Sequence, residues 1–274
     1  MKIDLHTHSN RSDGTDSPAE LIQSAKAAGL DVVAITDHDS TEGWQEAGWA
    51  ADRIGITLVR GIEISTKLDG KSIHLLGYAF DPQHEPLVTE LRKIIDGRNS
   101  RLPATLERLR SLGIDIVADD VRARSANAAA MGRPHVADAL VDLGVVKNRD
   151  EAFERFLTPG KPAYVDRYAV DLPTAIGLVK AAGGKTVLAH LWSRGSHRVL
   201  TPDRIGALAD AGLDGLEVDH FDHSTQDRAE LGQIARELGL VPTGSSDHHG
   251  TGKIGFPLGG NTTDPEQYRR LFDL

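Results

Sequence analysis

The chain has 274 residues, enough for one large α/β domain or for one domain that carries an insertion. Its formal net charge of −9 argues against nucleic-acid binding through bulk electrostatics, so we expect no stable DNA complex. There is no cysteine, no apolar core of a signal peptide, and no run of about 18 apolar residues. We therefore expect a cytoplasmic protein that lacks disulfides, thiolate metal sites and a membrane partner.

The first part of the chain alternates short strand patterns with helical patterns. A strand is predicted at 2–5 and a helix at 18–28, where Ser17 suits the N-cap, Pro18 the first turn and Gly29 the end. A buried strand is predicted at 31–36 and a helix at 41–54. Two consecutive strands are predicted at 56–64 and 72–80.

The middle of the chain has a different character. Between about 86 and 156 the spacing of apolar residues is helical, as for Leu106, Leu109 and Leu112, and no strand pattern is convincing. Beyond it, helices predicted at 172–182, 202–211 and 225–238 alternate with strands at 186–189, 215–218 and 240–243. This alternation predicts a parallel β/α architecture. We divide the chain into a barrel, 1–97 and 169–274, and a helical insertion, 98–168, which is expected to form a cap over the substrate.

Histidines and carboxylates recur at or just beyond the ends of the predicted strands. His6 and His8 lie two apart in an extended segment, so both imidazoles point to one side. In a parallel barrel the carboxyl ends of the strands converge on the face where active sites lie. The residues at such positions are His6, His8, Asp37, His38, Glu63, His74, His190, Asp247 and His249. For His84, His197 and His220 we favour an ordinary hydrogen-bonded or surface role.

Such a convergent polar cluster predicts a metal centre, because buried polar groups are unfavourable without partners and metal ions supply those partners. Imidazole and carboxylate without thiolate suit zinc, manganese or iron(II), and the ligand types alone leave that choice open. We expect two to three divalent ions and take manganese as the expected metal. Ions side by side can activate water and hold phosphoryl oxygens.

Five segments together resemble the motifs of the PHP (polymerase and histidinol phosphatase) family. They are Asp-Leu-His-Thr-His-Ser at 4–9, Thr-Asp-His-Asp at 36–39, Gly-Ile-Glu-Ile-Ser at 61–65, Ala-His at 189–190 and Ser-Asp-His-His at 246–249. The resemblance implies an α/β fold, a distorted (β/α)7 barrel with a trinuclear centre. It implies a first ion on His6, His8, Glu63 and Asp247, a second on Glu63, His74 and His190, and a third on Asp13, His38 and His249. Asp37 would then orient a ligand histidine.

The insertion resembles one subgroup of that family, the 3′,5′-nucleoside bisphosphate phosphatases and the related RNase AM type of 5′-to-3′ exoribonuclease. The resemblance lies in Gly-Arg-Pro-His-Val-Ala at 132–137 and in Phe-Leu-Thr-Pro-Gly-Lys-Pro-Ala-Tyr-Val at 156–165. It implies that Arg133 and His135 bind a phosphate. A further stretch, Glu-Val-Asp-His-Phe-Asp-His-Ser at 217–224, makes His223 a candidate for the substrate pocket.

These expectations combine into a metal-dependent phosphomonoesterase acting on a small nucleotide. Water activated by the metals would attack phosphorus, with Asp247 able to accept its proton. Arg133 would hold a phosphoryl oxygen or a second phosphate, and His135 or His223 would protonate the leaving oxygen. The alternatives are histidinol phosphate or a 5′-phosphorylated RNA end as substrate, and a non-catalytic metal-binding domain.

Overall fold

The computed structural model describes residues 1–125 and 127–274. Within them, eight strands form one sheet that curves almost into a barrel. The strands are β1 (Ile3–Asp4), β2 (Val32–Ile35), β3 (Thr57–Leu68), β4 (Lys71–Tyr78), β5 (Val170–Asp171), β6 (Lys185–Leu188), β7 (Gly215–Asp219) and β8 (Val241–Gly244). Their order is β1-β2-β3-β4-β6-β7-β8, with β5 beside β3. A parallel bridge between Thr7 and His248 joins the two ends of the sheet.

The strands pair in parallel except around β4, which is antiparallel to both β3 and β6. The reason is local, because only two residues, Asp69 and Gly70, separate β3 from β4. Both have positive φ, 47° and 76°, as a tight hairpin turn requires, and strands joined in this way must run in opposite directions. The predicted fold class is confirmed, and this hairpin is part of the distortion of the barrel.

The described residues also form ten α-helices. They are α1 (Pro18–Ala27), α2 (Trp44–Ile54), α3 (Glu85–Ser111), α4 (Ala118–Arg124), α5 (Arg133–Asp142), α6 (Arg149–Ala152), α7 (Leu172–Ala181), α8 (Pro202–Asp210), α9 (Thr225–Glu237) and α10 (Pro265–Phe272). Ser17 caps α1 in a capping box with Glu20, as its sequence indicates. None of the helices in the described part of the chain is long and apolar enough to cross a membrane.

Alternate residues of β2 enter two different hydrophobic cores, as the two faces of a strand require. Val33 and Ile35 pack in the large cluster between the sheet and the helices. Val32 and Ala34 belong to a smaller cluster, built from the strands and from α10. Inside that smaller cluster the Tyr78 hydroxyl donates to the Leu5 carbonyl at 2.8 Å. Both cores hold the strand ends in fixed positions.

The middle segment has a separate hydrophobic core. Among the described residues of this segment, fourteen buried ones form the core, from Leu102 on α3 to Ala163, and α4, α5 and α6 contribute to it. Helix α3 crosses the predicted boundary at 97/98 without a break. Gly97, within that helix, lies against Tyr168, so the beginning and the end of the segment meet there. The division into barrel and cap stays a prediction, with α3 shared between the two parts.

Candidate active site

The carboxyl edge of the barrel holds a dense cluster of histidines and carboxylates. All nine of the predicted ligands lie in it. Their side-chain nitrogen and oxygen atoms form four overlapping groups, in each of which the atoms lie within 4.8 Å of one another. The groups are His8, Asp13, His38 and His249; His6, His190 and Asp247; His6, His8 and Glu63; and His38, Glu63 and His74.

Glu63 lies at the centre of this cluster. It was expected near the end of its strand, but β3 continues to Leu68, so Glu63 is inside the strand and only 1% exposed. Oε1 is 2.6 Å from His74 Nδ1 and 3.0 Å from His190 Nε2. Oε2 is 3.1 Å from nitrogens of both His8 and His38, and 3.4 Å from His6 Nε2. Burial raises the pKa of Glu63, but the surrounding histidines hold that pKa well below its ordinary value.

Several of these close approaches lack hydrogen-bond geometry. Asp13 Oδ1, His38 Nδ1 and His74 Nδ1 are buried atoms with no hydrogen-bond partner in the part of the chain that the structure describes. His6 Nε2 and His8 Nε2 lie 3.1 Å apart, a distance that two lone pairs aimed at one cation also produce. Buried polar atoms without hydrogen-bond partners are unfavourable unless they bind an ion. The donor set therefore fits divalent metal ions.

Two residues of the cluster have a strained backbone. His190 has φ 29° and Asp247 has φ 52°, in the left-handed region that favours glycine. Such strain concentrates at functional sites, where the surrounding structure maintains it. Each of the two residues lies just beyond the end of a strand, where the turn directs its side chain towards the cluster.

Glu217 contacts two of the histidines, a role that its sequence context did not predict. It is fully buried on β7; Oε1 is 3.0 Å from His6 Nδ1, and Oε2 accepts from the His190 amide at 2.6 Å. A carboxylate on the far nitrogen of a ligand histidine fixes the ring and its tautomer. The available signal was a glutamate within an otherwise apolar strand, Gly215–Asp219.

Asp37 organises the loop that follows His8. Its carboxylate accepts from the Ser9 amide at 2.8 Å, from the Ser9 hydroxyl at 2.6 Å and from the Ser12 hydroxyl at 2.7 Å. Ser12 Oγ in turn lies 3.4 Å from His8 Nδ1. Asp37 therefore reaches His8 through Ser12, and its role in orienting a ligand histidine stays a prediction.

His220 lies beside the cluster as a buried, hydrogen-bonded residue. It follows β7 directly, is completely buried, and places Nε2 3.3 Å from Asp247 Oδ2. Lys253 Nζ bonds the same Asp247 oxygen and lies 3.8 Å from the centre of the Phe256 ring. Burial raises the pKa of Asp247, but Lys253 and the neighbouring histidines hold it well below its ordinary value.

Comparisons with known proteins agree with this geometry. Residues 4–106 match the profile of the PHP domain. The chain is 36% identical to the 3′,5′-nucleoside bisphosphate phosphatase of Chromobacterium violaceum, over 94% of this chain and 90% of that protein. It is also 36% identical to a 5′-3′ exoribonuclease of Haemophilus influenzae, over 94% of this chain and 91% of that protein.

The chain belongs to the PHP family. Among solved structures, one assigned as a metal-dependent phosphoesterase from Bifidobacterium adolescentis has a TM-score of 0.94 at 37% identity, covering 99% of this chain and 95% of that one. The chain is accordingly a metal-dependent phosphoesterase, as the sequence predicted.

In this PHP protein the middle segment contributes one wall of a cavity beside the histidine and carboxylate cluster. A small cavity is lined by Ser12, Asp13 and His38 of the barrel and by Arg98, Ala130, Gly132 and His135 of the middle segment. His135 is buried, and its Nδ1 accepts from the Gly132 amide at 2.9 Å. Burial lowers the pKa of His135, which favours the neutral ring at neutral pH.

Arg133 and His223 have well-defined partners of their own. Arg133 Nη1 donates to the Leu157 carbonyl at 3.1 Å, and its guanidinium lies 5.7 Å from the Phe153 ring centre and 5.6 Å from that of Tyr164. His223 Nδ1 is 2.9 Å from the Val218 carbonyl oxygen, and its Nε2 accepts from the Trp192 amide at 3.3 Å. Both ring nitrogens of His223 are thus engaged.

Two further arginines of α3 lie beside this wall and were not predicted. Arg98 donates to Asp39 Oδ2 at 2.7 Å and to Ser65 Oγ at 2.8 Å, which ties it to the barrel. Arg101 is 7% exposed, and its guanidinium has no hydrogen-bond or ion-pair partner among the described residues. Burial, together with the charges of Arg133, Arg98 and Arg167, lowers the pKa of Arg101 to about 8.

Proposed function

We propose that this phosphoesterase removes a phosphate from a nucleotide-type phosphomonoester, and that its substrate is the 3′-phosphate of a nucleoside 3′,5′-bisphosphate. The cluster of metal ligands supports hydrolysis of a phosphate ester in general. The choice of a substrate with two phosphates rests on the arginines of the insertion. The relative from Chromobacterium violaceum, whose name specifies this class of substrate, adds support.

The proposed division of ligands places one ion on His6, His8, Glu63 and Asp247, and one on Glu63, His74 and His190. A third ion is proposed on Asp13, His38 and His249. The two carboxylate oxygens of Glu63 face different histidines, which supports the proposal that Glu63 would be shared between two ions. The chemistry supplied by divalent ions in such a site is activation of water and neutralisation of phosphoryl charge. Manganese is the proposed ion, with zinc or iron(II) as alternatives.

The observation that carries the substrate assignment is the buried charge of Arg101, which has no hydrogen-bond or ion-pair partner among residues 1–125 and 127–274. A buried guanidinium close to other guanidinium groups is unfavourable without an anion to balance it. A phosphate bound there would relieve the repulsion and accept hydrogen bonds from a planar fork of donors. Because Arg98 extends from the same helix to the wall of the metal centre, one small molecule could place one phosphate at the metals and another at the arginines.

The remaining site residues receive roles that suit their environments. We assign Arg133 to phosphate binding, since its charge contributes to the field around Arg101. For His135, the lowered pKa favours a hydrogen bond from a neutral ring to phosphate over delivery of a proton. His223, whose nitrogens already bond to the backbone, would have to rotate before it could protonate a leaving oxygen. Asp247 is proposed both as a ligand and as an acceptor for the proton of the attacking water.

A phosphate-release screen on manganese-loaded protein tests the proposal. The panel comprises a nucleoside 3′,5′-bisphosphate, the two mononucleotides, histidinol phosphate, p-nitrophenyl phosphate and a short 5′-phosphorylated RNA. We expect the highest kcat/KM for the bisphosphate, with the 5′-mononucleotide as product. Comparable kcat/KM values for the bisphosphate and p-nitrophenyl phosphate would overturn the substrate assignment. No phosphate release from any compound would overturn the activity.

A 5′-to-3′ exoribonuclease is the second candidate, because the Haemophilus influenzae relative is as similar to this chain as the phosphatase is. In that case the arginines would hold the terminal 5′-phosphate of an RNA while the adjacent diester lies at the metals. The two activities give different products. A nuclease releases mononucleotides from the RNA in the panel, whereas a phosphomonoesterase releases inorganic phosphate.

A further inference from the structure

Arg149, the first residue of α6, connects the insertion to the metal centre. Its Nε and Nη2 donate to the two carboxylate oxygens of Asp138, each at 2.6 Å. This bidentate pair fixes the plane of the guanidinium. The remaining Nη1 donates to the main-chain carbonyl of Asp13 at 3.1 Å. The Arg149 side chain is only 14% exposed, so the contact is well shielded from water.

The loop around Asp13 is the part of the barrel that Arg149 holds. The Ser9 carbonyl accepts from the amides of Ser12 and Gly14 at 3.1 and 3.0 Å, which makes a tight turn around Asp13. The Asp13 carboxylate lies 3.4 Å from His249 Nε2 and 3.7 Å from His38 Nε2. A shift of the Asp13 main chain therefore moves its carboxylate away from two other prospective ligands.

Arg149 also lies against the loop that follows β8. A Cβ atom on Gly252 would be 2.4 Å from Arg149 Nη1, so the guanidinium packs directly on this glycine. The same loop contacts the Asp13 turn, since Thr15 donates its amide to the His249 carbonyl at 3.2 Å. Arg149 thus lies where the insertion, the Asp13 turn and the His249 loop meet. Because Asp138 balances its charge, the contact adds no net positive charge near the bound cations.

We propose that Arg149 is a positioning residue through which the docked insertion completes the ion site formed by Asp13, His38 and His249. The inference rests on the proposed function, because it uses the ligand assignment made there. It makes occupancy of the third ion site depend on the insertion, whereas the other two sites depend on the barrel alone. A purely structural role would instead lower stability without favouring any one ion.

The test compares Arg149→Met with Arg155→Met as a matched control. Arg155 pairs with Glu151 and bonds the Val145 carbonyl within the insertion, so its loss removes an arginine and an ion pair but no contact with the barrel. Manganese binding is measured by titration calorimetry, and the bound ions are counted by elemental analysis. Arg149→Met should keep two tight ions and bind the third about 10- to 100-fold more weakly, the usual effect of losing a residue that orients a ligand.

Two further variants keep the test independent of folding defects. Arg149→Lys should recover part of the third-ion affinity, because an ammonium can reach one of the two partners but cannot hold both. Gly252→Ser disturbs the guanidinium from the barrel side and leaves the insertion core unchanged, so it should also weaken the third ion selectively. Circular dichroism checks that each variant is folded.

Third-ion affinity in Arg149→Met equal to that of the wild type overturns the inference, whatever happens to its stability. So does a wild-type protein that binds two ions and no third, or equal weakening of all the ions in Arg149→Met. A wild-type protein that binds no ion or hydrolyses no ester refutes the proposed function instead. Three ions bound by Arg155→Met with normal affinity, beside a selective loss in Arg149→Met and Gly252→Ser, supports the inference.

Discussion

Replacing Arg101 with methionine should raise the stability of the ligand-free protein and lower its kcat/KM. Methionine keeps most of the apolar stem and removes a buried charge that lacks a partner among the described residues. Removing such a charge should raise the free energy of unfolding by on the order of 1–3 kcal/mol. A phosphate held by that guanidinium would lose charge-assisted hydrogen bonds worth about 1.5–3 kcal/mol. That loss corresponds to a fall of about 10- to 100-fold in kcat/KM for a bisphosphate.

Urea denaturation without ligand measures the first effect, and steady-state kinetics measure the second. The control is Arg110→Met, because Arg110 lies on the same helix but is exposed to solvent. It should change neither quantity appreciably. For p-nitrophenyl phosphate, which has no second phosphate, Arg101→Met should lose much less than for the bisphosphate. Lower stability of Arg101→Met, with unchanged kinetics on both substrates, would refute the assignment of Arg101 to an anion site.

The difference in stability between the wild type and Arg101→Met should also depend on pH. Burial lowers the pKa of Arg101 in the folded state to about 8, below its value in the unfolded chain. Above that pH the unfolded chain binds more protons than the folded protein, so wild-type stability should rise with pH through this region. The stability advantage of Arg101→Met should therefore be greatest below pH 8 and shrink as the pH increases. An advantage that grows with pH would contradict this assignment of the charge.

Three other predictions concern the metals and the insertion. Glu63→Gln should lose most of the bound ions, because one carboxylate serves several sites; elemental analysis showing full occupancy would remove Glu63 from the bridging position. Chelation should abolish activity and lower the melting temperature, since an ion at a hundred times its Kd stabilises the folded state by about 2.7 kcal/mol; an unchanged melting temperature after verified metal removal would contradict a preformed site. Arg133→Ala should keep its metals yet lose about 2 kcal/mol of transition-state binding, more for a bisphosphate than for p-nitrophenyl phosphate; small and equal losses in kcat/KM would place Arg133 outside the site.

The sequence predicted the barrel and the cluster of ligands because both depend on local patterns. A pair such as His6 and His8 has its geometry fixed by the extended backbone, and the alternation of strands and helices places each pair on the same edge. The helical middle segment was predicted too, although α3 begins earlier and ends within the insertion. Helix α10 was not predicted.

Most of the residues that the sequence did not indicate act across long distances in the chain. Glu217 bonds His6 although 211 residues separate them. Lys253 lies only six residues from Asp247, but the loop that brings the two side chains together has no regular pattern. Arg101 looks like any basic residue of a helix until the insertion encloses it. The role proposed for Arg149 depends on its contact with the Asp13 carbonyl, 136 residues away in the chain. These roles depend on the burial of the side chains and on the packing of the middle segment against the barrel. The spacing of residues in the sequence indicates neither.

The bridge between Thr7 and His248 closes the sheet with two ligand-bearing segments from opposite ends of the sequence. On one side of this seam lie His6 and His8, and on the other lie Asp247 and His249. During synthesis, His6 and His8 leave the ribosome first. They can meet Asp247 and His249 only after nearly all of the barrel has been synthesised. Contacts of such high sequence separation form late in folding. Metal capture should therefore be among the last events of folding, so a nascent or prematurely terminated chain would be catalytically silent.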